Sequence, residues 1–201
     1  IGANPASADD FLQTSGSVTF AAGQEQLTIR VPVRGDYSGE ANEDFRLSLN
    51  STDGVVFTQA TADATIVNDD VSLNIVATDA RHVEGHDGLQ TVYTFTVSRS
   101  GNLDLATSVD WSLQGLADAA DFLGGVLPSG TLNFASGEAD SQTISITVIG
   151  DRLVEPDETF QVVLGNASAG SDIKVGSATG TIVSDDVHWD IGVTATPVEG
   201  D

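Results

Sequence analysis

The chain contains no cysteine and no methionine. Without thiols it can form no disulfide framework, hold no thiolate-ligated zinc and use no cysteine nucleophile, so stability must come from packed cores and bound ions. Positive charge is scarce as well: 30 acidic residues stand against seven basic ones, and Lys174 is the single lysine. A formal net charge of −23 repels phosphate backbones and anionic membrane surfaces, which are bound through clustered Lys and Arg. The composition therefore argues against nucleic acid as a partner. No run approaches the roughly eighteen apolar residues of a membrane span, so no membrane insertion is expected of this segment. No stretch carries a sustained helical period either. Charge of one sign keeps a protein soluble but loosens its compact state, unless cations neutralise the acids where they gather.

What is present is an acidic corner written twice. Asp151-Arg152-Leu153-Val154-Glu155-Pro156-Asp157-Glu158 joins one alternating apolar run (Ile144, Ile146, Val148) to another (Phe160, Val162, Leu164), the pattern of a β-sheet corner. Gly35 to Phe45 repeats it, with Asp36, Glu40, Glu43 and Phe45 each 115 positions before Asp151, Glu155, Glu158 and Phe160. Ser17-Val18-Thr19-Phe20 precedes Thr131-Leu132-Asn133-Phe134 by 114, and Asp69-Asp70 precedes Asp185-Asp186 by 116. Val83-Glu84-Gly85 returns as Val198-Glu199-Gly200. A unit this long is a whole domain in tandem rather than a thin solenoid repeat. The expected division is an incomplete module over 1–70 that lacks its first strands, a complete module over 71–186, and the first strand of a further module over 187–201. Because the chain does not begin with Met and ends inside a motif, it reads as a piece of a longer protein.

Within the complete copy the apolar period is two. Val71, Leu73 and Ile75 open it; Tyr93, Phe95 and Val97, then Val109, Trp111 and Leu113, then Leu132 and Phe134 follow. Ile144 to Val148, Phe160 to Leu164 and Ala178 to Ile182 complete seven strands, with Gly, Asn, Asp and Ser punctuating them at turns such as Ser100-Gly101-Asn102 and Gly170-Ser171-Asp172. The fold class predicted is all-β: tandem immunoglobulin-like antiparallel sandwiches of about seven strands each. In the first copy Pro32 lies between Val31 and Val33, where its missing donor predicts an edge strand.

Six elements occur in a fixed order: Val83-Glu84-Gly85, Tyr93 to Gly101, Ala120-Asp121-Phe122, Gly130 to Glu138, the Asp151/Glu155/Glu158/Phe160 corner, and Thr181 to Asp186. Together they resemble the Calx-β domain of sodium/calcium exchangers, integrin β4 and long repetitive bacterial surface proteins. The resemblance implies a seven-stranded sandwich that binds Ca2+ at one tip. Carried over position by position, it implies Glu84, Asp121, Asp151, Glu155, Asp185 and Asp186 as ligands in the complete copy. Asp10, Asp36, Glu40, Asp69 and Asp70 are their counterparts in the first copy, and Glu199 would begin a third set. Calcium takes six to eight oxygens at about 2.3–2.6 Å, preferably from carboxylates on flexible loops. Gly150 stands before Asp151, and Asn68 or Ser184 before the terminal Asp pair, where the exchanger-type domain carries further acids. About one to three ions per tip are therefore expected. Glu43 and Glu158 share strand parity with Phe45 and Phe160, which leaves open whether they face an ion or accept loop backbone N–H bonds.

Enzymatic signatures are wanting. Ser177 lies in no strand-to-helix elbow, and the paired acids sit at a rim without an aromatic-lined cleft. The chain thus reads as a non-enzymatic, calcium-binding structural repeat of an extracellular or cell-surface protein. Linkerless junctions at Asp70-Val71 and Asp186-Val187 predict that calcium stiffens the array for adhesion, spacing or filament assembly. Its expected partners are calcium, neighbouring modules, an adhesion target, and other copies if strand 187–201 completes a neighbour's open sandwich. The alternative is a regulatory calcium sensor linked to a transporter or an enzyme.

Overall fold

The computed structural model describes residues 2–51, 54–86, 88–138, 140–192 and 199. Among them β1 (Glu43–Ser48) and β2 (Thr61–Ile66) form a two-stranded sheet. There follow β3 (Val71–Asp79), β4 (Arg81–Val83), β5 (Gln90–Gly101), β6 (Thr107–Gly115) and β7 (Ser129–Phe134). The series ends with β8 (Ser141–Ile149), β9 (Glu158–Gly165), β10 (Ser171–Val175) and β11 (Ser177–Val183). β10, β3, β5 and β8 make one sheet in that order, and β4, β11, β9, β6 and β7 the other.

Strand β5 shows why the sequence folds this way. Tyr93, Phe95, Val97 and Arg99 are buried, while the residues between them are half-buried, so one pleat face meets the opposing sheet. Leu73 and Ile75 join them from β3, and Val109, Leu113, Phe160, Val162, Leu164, Ala178 and Ile182 answer from the second sheet. Burying each large apolar side chain contributes about 1.5–3 kcal/mol. Phe160 is the hub, with its ring centroid 5.4 Å from those of Tyr93 and Phe122 and 5.9 Å from that of Phe95, all edge-on. Gly180 is its register partner; a Cβ there would lie 2.4 Å from Phe160 Cζ, so glycine is what lets the ring sit flat on the strand. At the far end Arg99 is 3% exposed, yet it meets no carboxylate in its hydrogen bonds. Its guanidinium donates to the Leu105, Ala135 and Glu138 carbonyls and lies over the Phe134 ring.

The all-β sandwich is the fold expected, with nine strands among the described residues of this unit instead of seven. The two additions, β4 and β10, pair parallel, with β11 and β3 respectively. Each is short, and β10 begins where Ser171-Asp172 reads as a turn. Neither carries a buried side chain, so neither leaves an apolar rhythm in the sequence.

The first copy departs further. β1 and β2 reproduce β9 and β11, with Phe45 opposite Ala64 as Phe160 is opposite Gly180. Ser17–Phe20 and Val31–Val33, counterparts of β7 and β8, form no ladder. The cause is visible in the complete unit: among the described residues the only ladder of β7 is with β6 and that of β8 with β5, and the first copy contains neither partner. The edge strand predicted at Pro32 is therefore absent, replaced by a single bridge between Phe11 and Val33. Among the described residues before Asp70 none is buried; Val18, Phe20 and Val33 are exposed. Residues 187–192 also form no ladder, and the rest of the strand predicted there, residues 193–198 and 200–201, lies outside the described residues. No helix among the described residues is long and apolar enough to cross a membrane.

Candidate metal centre

Four segments meet at one end of the sandwich. Glu84 follows β4, Asp121 sits in the β6–β7 loop, and Asp151 and Glu155 lie on the β8–β9 corner. Glu158 opens β9, and Asp185 and Asp186 follow β11. Glu84 is fixed by its own N–H, which donates to the Val183 carbonyl at 2.8 Å, and it is only 3% exposed. Asp185 is drawn in when its Oδ1 accepts from the Gly85 N–H at 3.1 Å. The corner folds on Asp151, whose Oδ1 accepts from the Leu153 N–H at 2.6 Å. Phe122, buried against Phe160, anchors the loop that carries Asp121, and the Asp121 carbonyl accepts from the Ile149 N–H at 2.8 Å.

These constraints gather the acids into two groups. Single carboxylate oxygens of Glu84, Asp151 and Asp186 lie within 4.8 Å of one another, and so do those of Asp121, Glu155 and Glu158. The electrostatic cost is visible in the side chains themselves. Burial, followed by the charges of Asp151, Glu155 and Asp121, pushes the Glu84 carboxyl up to about 7. Burial and neighbouring carboxylates likewise raise Asp121, Glu155 and Glu158.

The first copy rebuilds the second group from its own residues. Asp10, Glu40 and Glu43 also place carboxylate oxygens within 4.8 Å. Burial with the charge of Asp10 raises Glu43, as burial with the charge of Asp121 raises Glu158. Even the supporting bonds repeat: Ser7 N–H donates to Asp10 Oδ2 at 2.5 Å, and Asp118 N–H to Asp121 Oδ2 at 2.6 Å. The Arg34 N–H meets the Asp10 carbonyl as Ile149 meets Asp121. This tip persists although its sandwich does not.

Asp36, Asp69 and Asp70 do not enter a triad among the described residues. Asp70 is buried, and burial followed by the charges of Asp69 and Asp36 raises its carboxyl, so the three are neighbours. Their group has no counterpart of Glu84 among the described residues. Glu199 is exposed and belongs to no cluster among the described residues. Sequence reasoning left Glu43 and Glu158 open, and both complete a triad. It passed over Ser7 and Asp118 altogether. Their signal was there: Ser7 to Asp10 and Asp118 to Asp121 keep the three-residue spacing of a capping box.

Gly150 shows why no acid precedes Asp151. A Cβ there would lie 2.3 Å from the Gly85 carbonyl oxygen, so any side chain would push the Glu84 loop off the corner. Gly35, its counterpart in the first copy, meets nothing within 4 Å, because the segment equivalent to Gly85 is not part of the chain.

A hard cation fits this donor set. All the clustered donors are carboxylate oxygens, without nitrogen or sulfur, which suits Ca2+, Mg2+ or Mn2+ and not zinc or copper. Asp186 Oδ2, moreover, is buried without a hydrogen-bond partner, beside Glu84 and Asp151. An orphaned buried carboxylate oxygen is costly unless a cation meets it.

Fold and site together define a class: tandem β-sandwich modules carrying a carboxylate-only cluster at one tip. The Calx-beta domain model matches residues 3–71 and 69–186, and the chain belongs to that family. Extracellular matrix protein 3 of Lytechinus variegatus is 31% identical over 202 residues, covering 94% of this chain and 6% of that protein. The adhesion G-protein coupled receptor V1 of Danio rerio is 30% identical over 189 residues, covering 86% of this chain and 3% of the receptor. The chain thus spans a small part of the relatives it matches. Among solved structures, the apo-form Calx CBD1 domain is 28% identical, with a TM-score of 0.48 over 58% of this chain and 99% of that one. The calcium binding domain CBD12 of CALX1.1 is 30% identical, with a TM-score of 0.46 over 56% of this chain and 45% of that one.

Proposed function

We propose that this chain is a calcium-binding, non-enzymatic structural repeat of an extracellular or cell-surface protein. The observation that carries the reading is a carboxylate triad assembled twice from separate segments, Asp10–Glu40–Glu43 and Asp121–Glu155–Glu158. In the complete module, residues 71–186, one ion is held by Asp121, Glu155 and Glu158. A second is held by Glu84, Asp151 and Asp186, with Asp185 steering the loop. In the first module, residues 1–70, Asp10, Glu40 and Glu43 hold one ion, and Asp36, Asp69 and Asp70 gather beside it. Glu199 begins the equivalent set of a further module starting at 187. The ion supplies the positive charge that lets carboxylates from separate loops stay together, and the loops themselves do the binding and orienting.

Calcium at a tip that runs without a linker into the next module stiffens the array. The matrix-protein and adhesion-receptor relatives support an extracellular setting and a role in spacing or adhesion. Calorimetric titration of the chain with calcium tests the reading. Saturable binding should weaken for Asp186→Asn and for Asp121→Asn combined with Glu155→Gln; binding indifferent to all of them would contradict it. Small-angle scattering in calcium should give a narrower range of shapes than in chelator.

A further inference from the structure

The acidic corner of the first module is also a seat for the second. Gly39, at the apex of the Asp36–Glu43 corner, lies so close to the start of β3 that a Cβ on it would be 2.5 Å from the Ser72 N and 2.9 Å from the Val71 carbonyl carbon. Its carbonyl accepts from the Ser72 hydroxyl at 3.3 Å. Behind it Asn68 ties both sides, accepting from the Glu40 N–H at 3.1 Å and donating to the Asp70 carbonyl at 2.8 Å. Into this contact reaches Lys174 of β10, the single lysine of the chain. Its Nζ sits 2.8 Å from Asp172 in its own strand and 3.0 Å from Ser38 Oγ on the corner. Bonding to Asp172 comes first among the influences that raise the Lys174 ammonium, and Glu40 and Asp36 across the junction add to it.

We propose that this contact is a calcium-independent latch between the two modules, in which Lys174 serves as a tethered cation at the first module's acidic corner and Gly39 provides the close approach. The latch fixes the angle between modules before any ion binds. It is specific to this junction: the residue in Gly39's place in the complete module is Val154, and Ser38's place is taken by Leu153. A valine side chain cannot enter a space in which even a Cβ would approach backbone atoms to 2.5 Å. Both Leu153 and Val154 are exposed, so the next junction must seat differently. The bond geometry at Lys174 is that of a half-exposed pair, which holds a register without needing to contribute much stability.

Because the chain has no native cysteine, two can be introduced for spin labels, at Ser17 and Ser141, one exposed position on each module. Pulsed electron resonance of the full chain in chelator reads the distribution of distances between them. A narrow peak is expected, lost in Gly39→Val and broadened in Lys174→Gln, with the melting of the complete module unchanged in both. A distribution in chelator that is already as broad as that of Gly39→Val would overturn the latch. So would a Lys174→Gln distribution identical to that of the unsubstituted chain. Calcium is absent from these arms, so failure of the latch and failure of the calcium reading are separate results.

Discussion

Replacing Glu84 by Gln removes a negative charge and keeps the shape, and the two consequences have opposite signs. The Glu84 carboxyl stands at about 7 in the folded protein against an ordinary 4.5. A carboxyl whose pKa is raised on folding holds its proton more tightly in the native state, so its contribution to stability falls as pH rises from the lower value through the higher. At about 1.4 kcal/mol per pH unit the full penalty is roughly 3 kcal/mol, reached above pH 7. In chelator at pH 8, Glu84→Gln should therefore be more stable than the parent by about 1–3 kcal/mol, and the two should converge near pH 5. In calcium this advantage shrinks, because a charged ligand is lost while Asp151 and Asp186 remain; affinity should fall by at least about tenfold, or 1.4 kcal/mol. Calcium affinity of the parent should also drop as pH is lowered through 7, since binding must displace the Glu84 proton. Chemical denaturation across pH in chelator, paired with calcium titration, reads both effects. If Glu84→Gln were less stable than the parent in chelator at pH 8, the claim that the empty site pays for this buried charge would be refuted.

Other substitutions probe the frame around the site. Gly150→Ala should lower calcium affinity and destabilise the complete module by about 1–3 kcal/mol, because the new Cβ meets the Gly85 carbonyl; titration calorimetry and thermal melting check it. Arg99→Leu should cost about 3 kcal/mol, as it leaves the Leu105, Ala135 and Glu138 carbonyls without their donor while the calcium tip at the other end keeps its affinity. Phe160→Ala should cost about 3–5 kcal/mol by denaturant unfolding, whereas Phe45→Ala, at the equivalent but only half-covered position, should cost far less.

The sandwich was legible because each long strand writes its buried face as every second residue, as Tyr93, Phe95 and Val97 do. The repeat made the tip legible too, since Asp36 with Glu40 and Asp151 with Glu155 keep their spacing. β4 and β10 were not legible: a strand held by a parallel neighbour and burying no side chain has no pattern to read. Glu158 was ambiguous because parity along a strand does not say which loops will close over its first residue. That was decided by Phe122, whose burial carries Asp121 to it. The failure at Pro32 has a different origin. Val31 and Val33 carry strand chemistry, but a ladder needs a neighbouring strand, and among the described residues only the single Phe11 bridge meets them. The pairing of Gly150 with the Gly85 backbone is a contact across 65 residues that no local spacing reveals.

The most direct test is the melting temperature of the complete module in saturating calcium against that in chelator, with magnesium as a control. An ion bound only to the folded form at a hundredfold excess adds about 2.7 kcal/mol, a rise on the order of ten degrees for a domain of this size. The account predicts that rise in calcium, with its loss when Asp151 and Asp186 are both replaced by Asn. Equal melting temperatures in calcium and in chelator would contradict it.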